Sequence, residues 1–149
     1  MQSRFRFREA HMRTIVLSIQ PKWAALIGSG EKTIELRRRF PRYLTGCVAY
    51  LYESSPSRRL TAVVQMGAIH KLPVKELWRV HGKASCVDER HFLTYFQDRD
   101  AGVGIEILRH LPLVNDWDLG RLRQEFSFTA PQSWGYASAR LIDAIGACV

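Results

Sequence analysis

Lys32, Glu35 and Arg37 stand in the string Gly30-Glu-Lys-Thr-Ile-Glu-Leu-Arg37, and Arg38 and Arg39 follow at once. An amine, a carboxylate and guanidinium groups so close together can do acid–base or anion-recognition chemistry. A lysine with a depressed pKa can transfer a proton, or contact a phosphate or a base. A carboxylate can orient a water, or accept a base-edge amine such as cytosine N4–H. The planar fork of Arg37 matches phosphate oxygens bidentately. Arg38 and Arg39 read as rim charges that set salt dependence and on-rate. A plainer reading also holds: Glu35 pairs with Arg37 or Lys32 and keeps them in register. Unpaired charges cost several kcal/mol on burial, so a strand this charged needs a partner, and a polyanion is the simplest.

A second group lies late in the chain, in Pro131-Gln-Ser-Trp-Gly-Tyr136. Turns are exposed, and aromatic faces there stack unpaired bases, so Trp134 and, more weakly, Tyr136 are candidate stacking surfaces. Gln132 and Ser133 offer base-edge hydrogen bonds, or close the turn on their own backbone. Lys22 joins the basic set, whereas Trp23 beside it reads as core. His81, Cys86 and His91 fall at five-residue spacing, which suits neither a zinc finger nor an i, i+4 pair. No metal site and no cofactor follow from the sequence, which has no GxSxG, P-loop or GxGxxG motif.

The elements that must hold these groups follow from periodicity. Thr14 to Gln20 is an apolar run and predicts a buried strand. Pro21 opens a short helix with Trp23, Leu26 and Ile27 inward, ended by Gly28 and Gly30. Lys32 to Arg38 predicts strand two, stopped by Pro41, with Ile34 and Leu36 facing the core and Thr33, Glu35 and Arg37 sharing the other face. Further strands are predicted over 46–53, 60–72 and 102–113. Helices are predicted over 74–80, 87–97, 118–125 and 137–145, and 131–136 reads as a turn. The link over 82–87 is too long for a helix-turn-helix. The order fits an α+β domain built on a small, mixed, highly curved sheet or open barrel.

With 149 residues the expectation is one domain over 13–149, preceded by a basic arm over 1–12 where Arg4, Arg6 and Arg8 alternate with Phe5 and Phe7. The formal charge of +8 is one-sided. Residues 1–59 hold twelve Lys/Arg and four Asp/Glu, and residues 60–149 hold ten of each. Such a pole favours nucleic acid. No apolar run spans a membrane, the N-terminus has no secretory h-region, and three cysteines without a CxxC pair suit a reducing cytoplasm. The sequence does not give the oligomeric state, with a monomer favoured.

Leu17-Ser-Ile-Gln-Pro-Lys-Trp23, Gly30-Glu-Lys-Thr-Ile-Glu-Leu-Arg37 and Pro131-Gln-Ser-Trp134 together resemble the ASCH domain family of the PUA-like superfamily. The family string Gly-x-Lys-x-x-Glu-x-Arg is matched by Gly30, Lys32, Glu35 and Arg37. The resemblance implies a small PUA-like mixed β-barrel of five to six strands with capping helices. It also implies that the glycine turn, strand two and the aromatic turn line one cleft that takes RNA or a modified nucleoside.

Two functions follow from the resemblance. One is a binding module for single-stranded RNA or a nucleotide, in RNA metabolism or in regulating translation or transcription. The other is a metal-independent hydrolase, either a ribonuclease on single-stranded RNA or an enzyme similar to the 4-acetylcytidine amidohydrolases, with Lys32 and Glu35 as catalytic groups. The amidohydrolases use a motif lysine, a threonine nucleophile three residues on and a glutamate from a later helix. Only the lysine carries over, as Lys32. Glu35 takes the nucleophile's place, Thr33 lies nearby, and Asp88 and Glu89 match the late glutamate in sequence proximity alone. An acyl-enzyme route needs an accepting hydroxyl, so Glu35 weakens it.

Overall fold

The computed structural model describes residues 14–146, and the arm expected over 1–12 lies outside them. The apolar run TIVLSI forms β1 (Thr14–Ile19), almost wholly buried. Pro21 then starts α1 (Pro21–Ser29), and Gly30 ends it in the left-handed conformation at φ 84°, open to a residue without a Cβ. β2 (Ile34–Arg37) follows, then a 3-10 turn at Arg42–Leu44 and β3 (Val48–Glu53). β4 (Arg59–Pro73) leads into α2 (Val74–His81) and α3 (Glu89–Tyr95). β5 (Ala101–Asp118) runs into α4 (Leu119–Phe126), β6 (Trp134–Tyr136) and α5 (Ala139–Ile145).

The strands make one six-stranded sheet in the order β2-β5-β4-β3-β1-β6. β1 runs parallel to β3, and every other neighbouring pair is antiparallel. Register shifts at Leu60/Ala62, Gln65/Met66 and Met66/Ile69 bend the long β4–β5 ladder, since a bulged strand kinks and twists more strongly. The mixed α+β architecture matches the expectation, but the hydrogen-bonded ring does not close: β2 and β6 are the sheet's two margins. One core includes the fully buried Leu17, Leu51, Val64 and Ile105. A second lies under α4 and α5, and a third packs Ile34 and Leu36 of β2 against Leu77, Phe92 and Phe96.

Several boundaries differ from the sequence reading, four of them near the site or at the sheet's margins. β2 is shorter than 32–38, because Thr33 N and Ile34 N both donate to Ala84 O rather than to a neighbouring strand. The helix expected over 87–97 keeps only Glu89–Tyr95, since Asp88 caps it by accepting from His91 N. β5 continues past 113 to Asp118, held by its ladder with β4. The stretch read as a turn over 131–136 ends in β6, which pairs with Ile15, Val16 and Leu17. Among the described residues no helix is long and apolar enough to cross a membrane.

Candidate functional site

Lys32 sits on the bridge between the Gly30 cap and β2, and its backbone N–H donates to Leu26 O at 3.0 Å. Only 2% of the residue is exposed. Its Nζ donates to Ser85 O at 2.6 Å, lies 3.5 Å from Glu35 Oε1 and 4.9 Å from the centre of the Trp23 ring. Burial pushes the Lys32 pKa below its ordinary value, and the Glu35 carboxylate opposes that shift. The acceptor carbonyl is itself held in place. Ser85 is fully buried, its Oγ donates to Gly82 O at 2.6 Å, and it accepts from Val87 N at 3.3 Å. That local folding turns the Ser85 carbonyl inward, where it meets the ammonium.

Glu35 sits between two cations. Its Oε2 accepts from Arg37 Nε at 3.1 Å and from Nη2 at 2.7 Å. Arg37 Nη2 also donates to Ser18 O at 2.7 Å, while Nη1 reaches Ser133 O at 3.4 Å and Ser133 Oγ at 3.3 Å. Alternation along β2 correctly puts Glu35 and Arg37 on one face, but Thr33 ahead of the strand is exposed and apart from them. The charged partner that so charged a strand needs is thus internal: Lys32, Glu35 and Arg37 satisfy one another. The Arg37 fork is committed to protein oxygens.

These three residues line a cavity of about 410 Å³ together with Trp23, Lys22, His91 and Tyr95. The volume falls in the range of roughly 300–1,000 Å³ found for small-molecule sites. The Lys22 ammonium lies 4.4 Å from the Trp23 ring centre. His91 Nδ1 lies 3.1 Å from Asp88 Oδ2, so the helix cap also orients this imidazole.

A wider opening of about 920 Å³ adjoins it, lined by Arg38, Arg39, Lys71, Arg99, Phe40 and Trp134 among others. A third concavity of about 460 Å³ joins the two and includes Tyr95, Gln132 and Ser133. Trp134 therefore belongs to the neighbouring groove and not to the wall opposite Lys32, because its place in β6 turns it toward Phe40, with ring centres 5.9 Å apart. Tyr136 stands apart from both, 58% exposed and edge-on to Trp134 at 5.3 Å.

Where the sequence predicts a single cleft, Lys22, Lys32, Glu35 and Arg37 line the cavity, Arg38, Arg39 and Trp134 line the groove beside it, Gln132 and Ser133 line the concavity that joins the two, and Tyr136 lines none of the three. Trp23 packs against the core as the sequence predicts, and its half-buried ring also lines the cavity, next to Lys22 in the Pro-Lys-Trp order at the helix start. Sequence reasoning missed Ser85, Tyr95 and His91. For His91 a signal existed, since an Asp three residues before it caps the helix and holds the ring.

The sequence pattern of the ASCH domain matches residues 17–140. An ASCH domain-containing ribonuclease of Zymomonas mobilis is 28% identical over 119 residues, 79% of this chain and 80% of that protein. The crystal structure of ASCH from Zymomonas mobilis superposes with a TM-score of 0.81 at 25% identity, covering 89% of this chain and 92% of that one. The N-terminal domain of Staphylothermus marinus McrB shares the fold alone, with a TM-score of 0.57 at 11% identity over 89% of this chain and 92% of that one.

Proposed function

The chain belongs to the ASCH domain family, and we propose that it binds RNA, taking one nucleotide of an unpaired strand into the cavity over Lys32. One observation carries the reading: a buried amine, flanked by the Glu35 carboxylate and the Trp23 ring, opens onto a cavity of nucleoside size. The aromatic face suits stacking of a base, and the Glu35–Lys32 pair offers an acceptor and a donor to its edge. Similarity to a ribonuclease supports RNA as the class of ligand. A base can enter only by leaving its stack. Single-stranded RNA should therefore bind more tightly than a duplex of the same sequence in an anisotropy titration, and equal affinity for both would overturn the reading.

Cleavage is the second reading, favoured by the lowered pKa of Lys32. Once it has released its proton, Lys32 keeps N–H donors for Ser85 O and Glu35 and has a lone pair to offer the cavity. It takes the proton of a ribose 2′-OH as that oxygen forms its bond to the neighbouring phosphorus. The bond from phosphorus to the 5′-oxygen breaks, and that oxygen takes a proton from water. The products are a 2′,3′-cyclic phosphate and a 5′-hydroxyl end. A 2′-deoxy substitution at the cleaved position should abolish product with and without chelator, and retained cleavage of that substrate would exclude this route. Deacetylation of 4-acetylcytidine is not favoured, because Glu35 stands where a hydroxyl would attack and Thr33 is exposed, outside the cavity lining.

A further inference from the structure

We infer that the ligand is a polymer that continues out of the cavity along the adjoining groove, where Arg38, Arg39, Lys71 and Arg99 take its phosphates, so that several nucleotides are held rather than a free nucleoside. This rests on the reading of the cavity given above and concerns what lies beyond it.

The division of charge between the two places is the first ground. Inside the cavity Glu35 is bracketed by Lys32 and Arg37, and the Arg37 fork is bound to protein oxygens. Of the cations lining the cavity, Lys22 alone forms no ion pair among the described residues, and its ammonium sits over the Trp23 ring. In the groove more cations are left uncommitted. Among the described residues Arg39, Lys71 and Arg99 form no ion pair, and two carboxylates, Asp98 and Asp100, share the lining with four cations. Arg38 is fixed without being neutralised: its Nε donates to Tyr95 O at 2.8 Å and its guanidinium lies 4.3 Å from the Tyr95 ring centre. A fork held on an aromatic face and left without a carboxylate is prepared for a phosphate oxygen.

Continuity is the second ground. Tyr95 and Arg37 line both the cavity and the joining concavity. Arg38, Arg39 and Arg99 line both the joining concavity and the groove. A chain leaving the cavity past Tyr95 thus meets cations at each step, and the half-buried Trp134 ring at the far side offers a surface for a second base.

The test is a set of binding titrations on the full chain at several salt concentrations. The probes are a uridine monophosphate, a uridine dinucleotide and a uridine octamer, and the proteins are the wild type and the Arg39→Ser/Lys71→Ser variant. Both residues are exposed, so the variant keeps the fold. The octamer should bind the wild type at least tenfold more tightly than the monophosphate, with the dinucleotide between. The variant should lose roughly tenfold for the octamer, and its slope of log affinity on log salt should flatten by about 0.7 for each cation removed. Its affinity for the monophosphate should stay unchanged. Wild-type binding of the octamer that is no tighter than that of the monophosphate, or a variant with the wild-type slope, overturns the groove while leaving the cavity reading intact. Failure of all three probes to bind the wild type removes both.

Discussion

At the scale of single residues, Lys32 is held where a lysine is uncomfortable, and its discomfort is useful. The unfolded chain keeps this proton up to the ordinary value of 10.5, whereas the folded chain releases it at lower pH. In the interval between those two values the unfolded state binds more protons, so stability rises with pH there; below the folded value the burial penalty is fully present. Lys32→Met lifts that penalty but leaves the buried Ser85 carbonyl without its donor and Glu35 with Arg37 alone. The melting temperature at neutral pH should therefore fall, and if Lys32 is the base of RNA cleavage the product should be lost, read by thermal melting and by product formation on one preparation. If Lys32 is the base, the wild-type rate should climb with pH on a limb centred below 10.5. Arg37→Lys should act differently. A lysine cannot reproduce a fork that joins Glu35, Ser18 O and Ser133, so a loss of about 3 kcal/mol is expected in chemical denaturation. The motif made these residues conspicuous in sequence. Their partners were hidden, because Ser85 lies 53 residues from Lys32, and Ser133 lies 96 from Arg37. Short-range spacing shows which side chains are charged, not which distant carbonyl will meet them.

At the scale of elements, what was legible depended on length. β1, α1 and β4 carry strong periodicity or clear terminators and lie where the sequence puts them. β6 is only Trp-Gly-Tyr, too short to show alternation, and it owes its conformation to the neighbouring β1. The helical pair α2–α3 is fixed against β5 at a glycine. A Cβ on Gly102 would run into the ring of Phe96 and into Leu77, both fully or nearly buried. Gly102→Ala should therefore destabilise by about 1–3 kcal/mol through overpacking. Because α3 carries Tyr95 and His91, the same variant should weaken RNA binding even under conditions where it remains folded. Unchanged stability together with unchanged affinity would show that this packing does not hold the cavity wall in place.

At the scale of the whole molecule, the sequence announced a positive pole in residues 1–59, and two of its members, Arg38 and Arg39, do meet in the groove. Lys71 and Arg99 come from the half of the chain whose charges balance, and folding alone brings them there. Counting charge along a chain misses such recruitment, since it averages over residues that face in different directions.

The gap between β2 and β6 has a mechanical consequence. Where a closed barrel has a ladder of backbone bonds, the described residues show the Arg37 guanidinium on Ser133 and the Phe40–Trp134 contact fastening the two margins. Local openings follow the weakest fastening, so backbone amides flanking that seam should trade hydrogen for deuterium sooner than those of the β3–β4 ladder. In Arg37→Lys the amides of β2 and β6 should lose protection together while β3 and β4 keep theirs. Uniform loss across the sheet would mean that the seam is no weaker than the rest.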